Sequence, residues 1–110
     1  LLRSGDTARY LSCEGTSFPL GAYRDAGYQS RTVPLASGDV AVLYTDGVPE
    51  AEGRGGAQWG YDAFAGFLRG LPTATLSARE IRDAIVREVA RFTGRPRPAD
   101  DVAVVVVKAL

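Results

Sequence analysis

The chain of 110 residues contains no histidine. That absence removes a Ser-His-Asp triad, a Cys-His pair and a typical zinc site from what the chain can assemble alone. Any hydrolytic chemistry must lean on carboxylates, arginines or a metal ion. Cysteine occurs once, as Cys13, so no disulfide closes within the chain, which suits a reducing compartment. Cys13 lies in an alternating stretch and reads as a small buried thiol rather than a nucleophile. Lysine also occurs once, at Lys108, and methionine not at all. The longest apolar run, "VAVVVV" at 102–107, is far too short to span a bilayer, and no signal-peptide pattern opens the chain. Net charge is missing too. Thirteen basic and 13 acidic residues cancel, so nothing draws the chain generally to nucleic acid or to an anionic membrane.

What is present is globular. An apolar fraction of 45% and a charged fraction of 24% are close to the average for packed domains. The length fits one domain or part of one, and "LLRSGD" reads as a start within a structure, so residues 1–110 are expected to be a fragment of a single domain. Strands are expected at "TARYLSC" (7–13), "YQSRTVPL" (28–35) and "VAVLYT" (40–45), the last after the turn "ASGD". The glycine-rich loop "EAEGRGGAQWG" (50–60) has no periodicity and is expected to be mobile. Tyr61, Phe64, Ala65 and Leu68 then fall at helical spacing up to Gly70 and Pro72. Ser77 and Glu80 have capping-box spacing, and Ile81, Ile85, Val89 and Phe92 make one face of a longer helix that Gly94 and Pro96 end. The closing "DVAVVVVK" suits a strand covered on both faces. Strands, two helices and a strand make an α+β layering over a mostly antiparallel sheet.

Two acidic sites have opposite placement. Asp46 follows the third expected strand, whereas Asp100 and Asp101 precede the last. Were those strands antiparallel neighbours, about 4.8 Å apart, the carboxylates of Asp46 and Asp100 would converge on one rim. Close carboxylates repel unless a proton or cation lies between them, and hard divalent ions favour such ligands. Each piece has a plainer reading: Asp-Gly is a strong turn signal, and "ADD" before a strand is ordinarily a solvated loop.

The ordered combination "LASGDVAVLYTDGVPEA", a glycine-rich loop, "QWG", two helices and "ADDVAVVVV", with "FPLGAY" upstream, resembles the C-terminal half of the SpoIIE-like phosphatases. These belong to the metal-dependent PPM class, related to protein phosphatase 2C. The resemblance implies an αββα sandwich of antiparallel sheets with outer helices. It implies a serine/threonine protein phosphatase in which a water bridging two Mn2+ or Mg2+ ions hydrolyses the phosphoester. By matched motif positions it implies Asp46 and Asp100 as metal ligands, with Gly47, Glu50 and Asp101 supporting the loops. It further implies a cytoplasmic bacterial regulator in partner-switching signalling and sigma-factor regulation, with a phosphorylated protein as substrate, such as an anti-sigma-factor antagonist. The family's "GDxxGHG"-like and "GNGHPP"-like segments have no counterpart here, so the chain is expected to hold about half an active site and to be weak or inactive alone. The alternative is a non-catalytic regulatory or binding module on the same fold.

The remaining candidates read as structural. Arg91, Arg95 and Arg97 suit a solvated helix end. Trp59 and Tyr61 are expected to pin the loop to the core, and Tyr10, Tyr23 and Tyr28 form no site pattern. "EGRGG" (52–56) lacks the Lys-Ser/Thr of a phosphate loop and is expected to be a flexible flap near the site.

Overall fold

A computed structural model describes residues 1–12, 18–96 and 101–110. Cys13, Arg97 and Asp100 fall outside the described residues. The elements are β1 (Leu2–Ser4), β2 (Thr7–Arg9), β3 (Val40–Tyr44), α1 (Tyr61–Gly70), α2 (Ala78–Thr93) and β4 (Val104–Lys108). They make a four-stranded antiparallel sheet of order β2-β1-β3-β4 with two helices, an α+β fold.

β1 and β2 form a hairpin through Gly5, whose φ of 54° explains glycine at that turn. The "ASGD" turn sets the start of β3. Asp39, buried, accepts from the Ala36 N–H through Oδ2 at 2.9 Å, and its carbonyl accepts from the Ala109 N–H at 2.9 Å. From there β3 and β4 pair from Val40↔Lys108 to Tyr44↔Val104. The strand adjacency on which the shared rim depends is therefore present.

The helices cover one face of the sheet. Val40 and Val42 pack with Phe64, Leu68, Ile81, Ile85 and Val89 in one buried cluster, and Val104 and Val106 lie against it. Tyr44 meets Phe64 edge-on, with ring centroids 5.1 Å apart. Two cations tie down the connection between the helices. Arg3 donates to the Thr73 hydroxyl and to the Arg69 carbonyl, and Lys108 Nζ donates to the Leu76 carbonyl at 2.7 Å. α2 begins as its spacing predicts. The Ser77 hydroxyl accepts from the Glu80 N–H at 3.2 Å, while Glu80 Oε2 accepts from the Ser77 N–H at 2.8 Å. Gly94, with φ 65°, ends it.

Several expectations differ. Residues 28–35 form no strand; the segment is mostly exposed, and Pro34 lacks the N–H that a ladder needs. Among the described residues 7–12, the expected strand is formed only at Thr7–Arg9, and its partner β1 has too few residues to show periodicity. β4 is not covered on both faces: Val105 and Val107 are 57% and 46% exposed, and Leu43 beside them is 57% exposed. The loop at 50–60 is closed by hydrogen bonds rather than loose. Gly53 and Trp59 donate to the carbonyls of Ala57 and Ala51 at 2.8 and 2.9 Å. Trp59 packs on Phe64 and Phe67, as its proposed pinning role requires.

Ser77→Ala is expected to destabilise the fold by about 1 kcal/mol, read by urea denaturation. The Ser77 hydrogen bonds hold the Glu80 carboxyl below its usual range. Its contribution is thus complete above the ordinary glutamate pKa and is lost as pH falls through the lower folded value. Melting temperature followed across that acidic window is expected to fall less steeply for Glu80→Gln than for the unaltered chain.

Candidate metal centre

β3 leaves the sheet at Thr45, and the way it leaves positions everything at the rim. The Thr45 N–H donates to the Ala103 carbonyl at 3.1 Å, extending the β3–β4 ladder by one step. The return bond is made differently: the Ala103 N–H goes to Thr45 Oγ1 at 2.9 Å. The same hydroxyl donates to the Asp101 carbonyl at 3.1 Å. The Thr45 carbonyl accepts instead from the Val48 N–H at 3.1 Å, and the Asp46 carbonyl accepts from the Glu50 N–H at 2.9 Å. The chain thus turns sharply at Asp46–Gly47.

This turn is anchored from below. Val48 and Pro49 are fully buried, while Asp46 and Glu50 on either side are exposed. Gly47 faces the Asp101 loop. A Cβ placed there would lie 2.6 Å from the Asp101 carbonyl oxygen and 3.3 Å from Val102 Cγ2. Val102 in turn packs on the core and, with Val86, Val89, Ala90, Thr93 and Pro96, lines a small apolar pocket at the end of α2. The two loops therefore meet at one rim, in contact through Thr45, Gly47 and Asp101.

Of the residues expected at the site, Asp46, Gly47 and Asp101 come together, and Glu50 ends the same turn. Asp100 lies outside the described residues. Among the described residues no group of three or more His, Cys, Asp or Glu is arranged to hold a metal. Of the basic candidates, Arg91 pairs with Glu88 at 2.5 Å on the surface of α2, which pulls the Glu88 carboxyl below its usual range. Tyr10 donates to the Tyr61 carbonyl at 2.6 Å, and burial, then the neighbouring Tyr44, pushes its phenol up to about 12. Tyr10 is thus a structural hydroxyl. The residue that motif reading passed over is Thr45, visible in "YTDG" only as the end of a strand.

The family model for Stage II sporulation protein E (SpoIIE) matches residues 1–110. The chain belongs to the SpoIIE family. Among solved structures, this SpoIIE-family chain is similar to the SiaA-PP2C domain of Pseudomonas aeruginosa, at 32% identity and a TM-score of 0.57, over 69% of this chain and 31% of that one. The chain therefore spans about a third of the length of that structure. No curated protein matches it. SpoIIE membership and the similarity to a PP2C domain support a phosphatase-type domain, of a kind that generally depends on divalent metal. The rim suits that chemistry in its donors: an exposed carboxylate at Asp46, set beside a second acidic loop, offers oxygen ligands of the kind that Mg2+ and Mn2+ prefer. Among the described residues, no helix is long and apolar enough to cross a membrane.

The close approach at Gly47 yields a prediction. Gly47→Ala forces a methyl against backbone that cannot swing aside, so a loss of about 1–3 kcal/mol is expected in chemical denaturation.

Proposed function

We propose that this chain is the C-terminal part of a PPM-type protein serine/threonine phosphatase domain that depends on Mn2+ or Mg2+. One observation carries the reading. A chain matched to SpoIIE throughout its length sets the Asp46 turn and the Asp101 loop in contact at one sheet rim. In this reading Asp46 and Asp100 are metal ligands, Gly47 allows the loops to close, and Glu50 and Asp101 support them. Two bound divalent ions would supply an activated water at neutral pH and neutralise charge on the phosphoryl oxygens. What the chain's own residues do is hold carboxylate oxygens in place. No histidine or cysteine nucleophile is required, which agrees with their scarcity. The open sheet face bearing Leu43, Val105 and Val107 is the side on which the second sheet of an αββα sandwich would pack. The proposed substrate is a phosphoserine or phosphothreonine protein, such as an anti-sigma-factor antagonist in a cytoplasmic partner-switching pathway. The similarity to a PP2C domain supports the phosphatase part of this reading.

The test is manganese-dependent phosphate release from a phosphoserine protein by the full-length protein. Asp46→Asn and Asp100→Asn are each expected to lower the rate about a hundredfold or more, because metal ligation supplies several kcal/mol of transition-state stabilisation. An unchanged rate in both variants would exclude these residues as ligands, whereas no manganese-dependent release by the unaltered full-length protein would favour a non-catalytic module.

A further inference from the structure

We propose that Thr45 is a positioning residue for metal binding: its hydroxyl latches the Asp46 turn to the Asp101 loop. The inference rests on the metal-site reading above and extends it to a residue that carries no charge.

The geometry is unusual for a ladder end. In an antiparallel hydrogen-bonded pair, both residues exchange backbone N–H and C=O groups. Thr45 and Ala103 exchange only one such bond. In the other, Thr45 Oγ1 stands where the Thr45 carbonyl would be, 2.9 Å from the Ala103 nitrogen. This substitution frees the carbonyl to close the turn with Val48. It also leaves the hydroxyl proton for the Asp101 carbonyl, 3.1 Å away. A carbonyl cannot donate, so only a hydroxyl can take both partners at once. One side chain thus completes the sheet, releases the strand into the turn that presents Asp46, and grips the opposite loop directly beside Asp100 in sequence. Gly47, pressed on the same Asp101 carbonyl, leaves no slack between the loops. Removing a group that orients metal ligands in this way typically costs about 10- to 100-fold in metal affinity.

The experiment measures Mn2+ affinity of the full-length protein by titration calorimetry, without substrate. Thr45→Val keeps the shape but removes the hydroxyl, and is expected to weaken Mn2+ binding about tenfold or more. Thr45→Ser restores a hydroxyl and is expected to retain the affinity. Ile85→Val, a core truncation on α2, is expected to lower stability while leaving Mn2+ affinity unchanged, which separates positioning from general loosening. Thr45→Val binding Mn2+ as tightly as the unaltered protein, with binding lost in Asp46→Asn, overturns the latch and leaves the metal site standing. Full Mn2+ affinity in Asp46→Asn removes the site reading itself. Hydrogen exchange at the Ala103 amide of the unaltered protein is expected to be slow. An unprotected amide there overturns the latch even if Thr45→Val does not fold.

Discussion

Five antiparallel pairs, from Val40↔Lys108 to Tyr44↔Val104, join the strands that frame the rim. Register in such a ladder is a choice with large consequences, because a slip of one residue turns every side chain to the other face. Here a slip of β3 would withdraw Val40, Val42 and Tyr44 from Phe64 and the helices, and present Ala41 and Leu43 in their place. Burial of the core therefore selects the register, and the register selects which residues meet at the strand ends. The candidate site inherits its geometry from hydrophobic packing on one face of the sheet rather than from polar contacts at the rim alone. The "ASGD" turn reinforces the choice from the far end, through the bond between Ala109 and the Asp39 carbonyl.

The same ladder explains the composition of β4. Valine at every position from 104 to 107 is more than one covered face requires. Val104 and Val106 meet the helices, whereas Val105 and Val107 align with Leu43 and Ala41 on the other side. Antiparallel sheets with a water-facing side ordinarily alternate apolar and polar residues. An unbroken valine run is the pattern of a sheet covered twice, and it makes this open face the natural seat of a further layer.

The helices were legible because their signals are local. The Ser77–Glu80 box, the apolar face through Ile81, Ile85 and Val89, and Gly94 each act within a few residues of themselves. The strands were less so. β1 is too short for a period to register, and the segment at 28–35 has strand-like composition but pairs with no strand among the described residues. That the Asp46 turn and the loop before β4 meet could be anticipated from the opposite chain positions of Asp46 and the Asp100–Asp101 pair, once β3 and β4 were taken as neighbours; the expected convergence of Asp46 with Asp100 lies outside the described residues. Thr45 could not be anticipated. Its role depends on which oxygen accepts from Ala103, a detail of three-dimensional hydrogen bonding that no spacing records. The closure of the 50–60 loop escaped notice for a related reason: its bonds are backbone to backbone and leave little trace in side-chain pattern.

An apolar strand that runs into a carboxylate poses an energetic problem, since burying an unpaired charge is costly. The chain resolves it by separating anchor from display. Val48 and Pro49, just after the turn, are driven into the core and fix its position, while Asp46 remains exposed and hydrated. The hydrophobic effect thus holds a charged group in place without desolvating it. Holding it there settles in advance the orientational freedom that a flexible carboxylate would lose on gripping a ligand. A turn secured only by its own polar bonds would compete with water for every one of them. Two buried apolar residues have no such competitor, and the rigidity they confer reaches the Asp101 loop through the Thr45 hydroxyl.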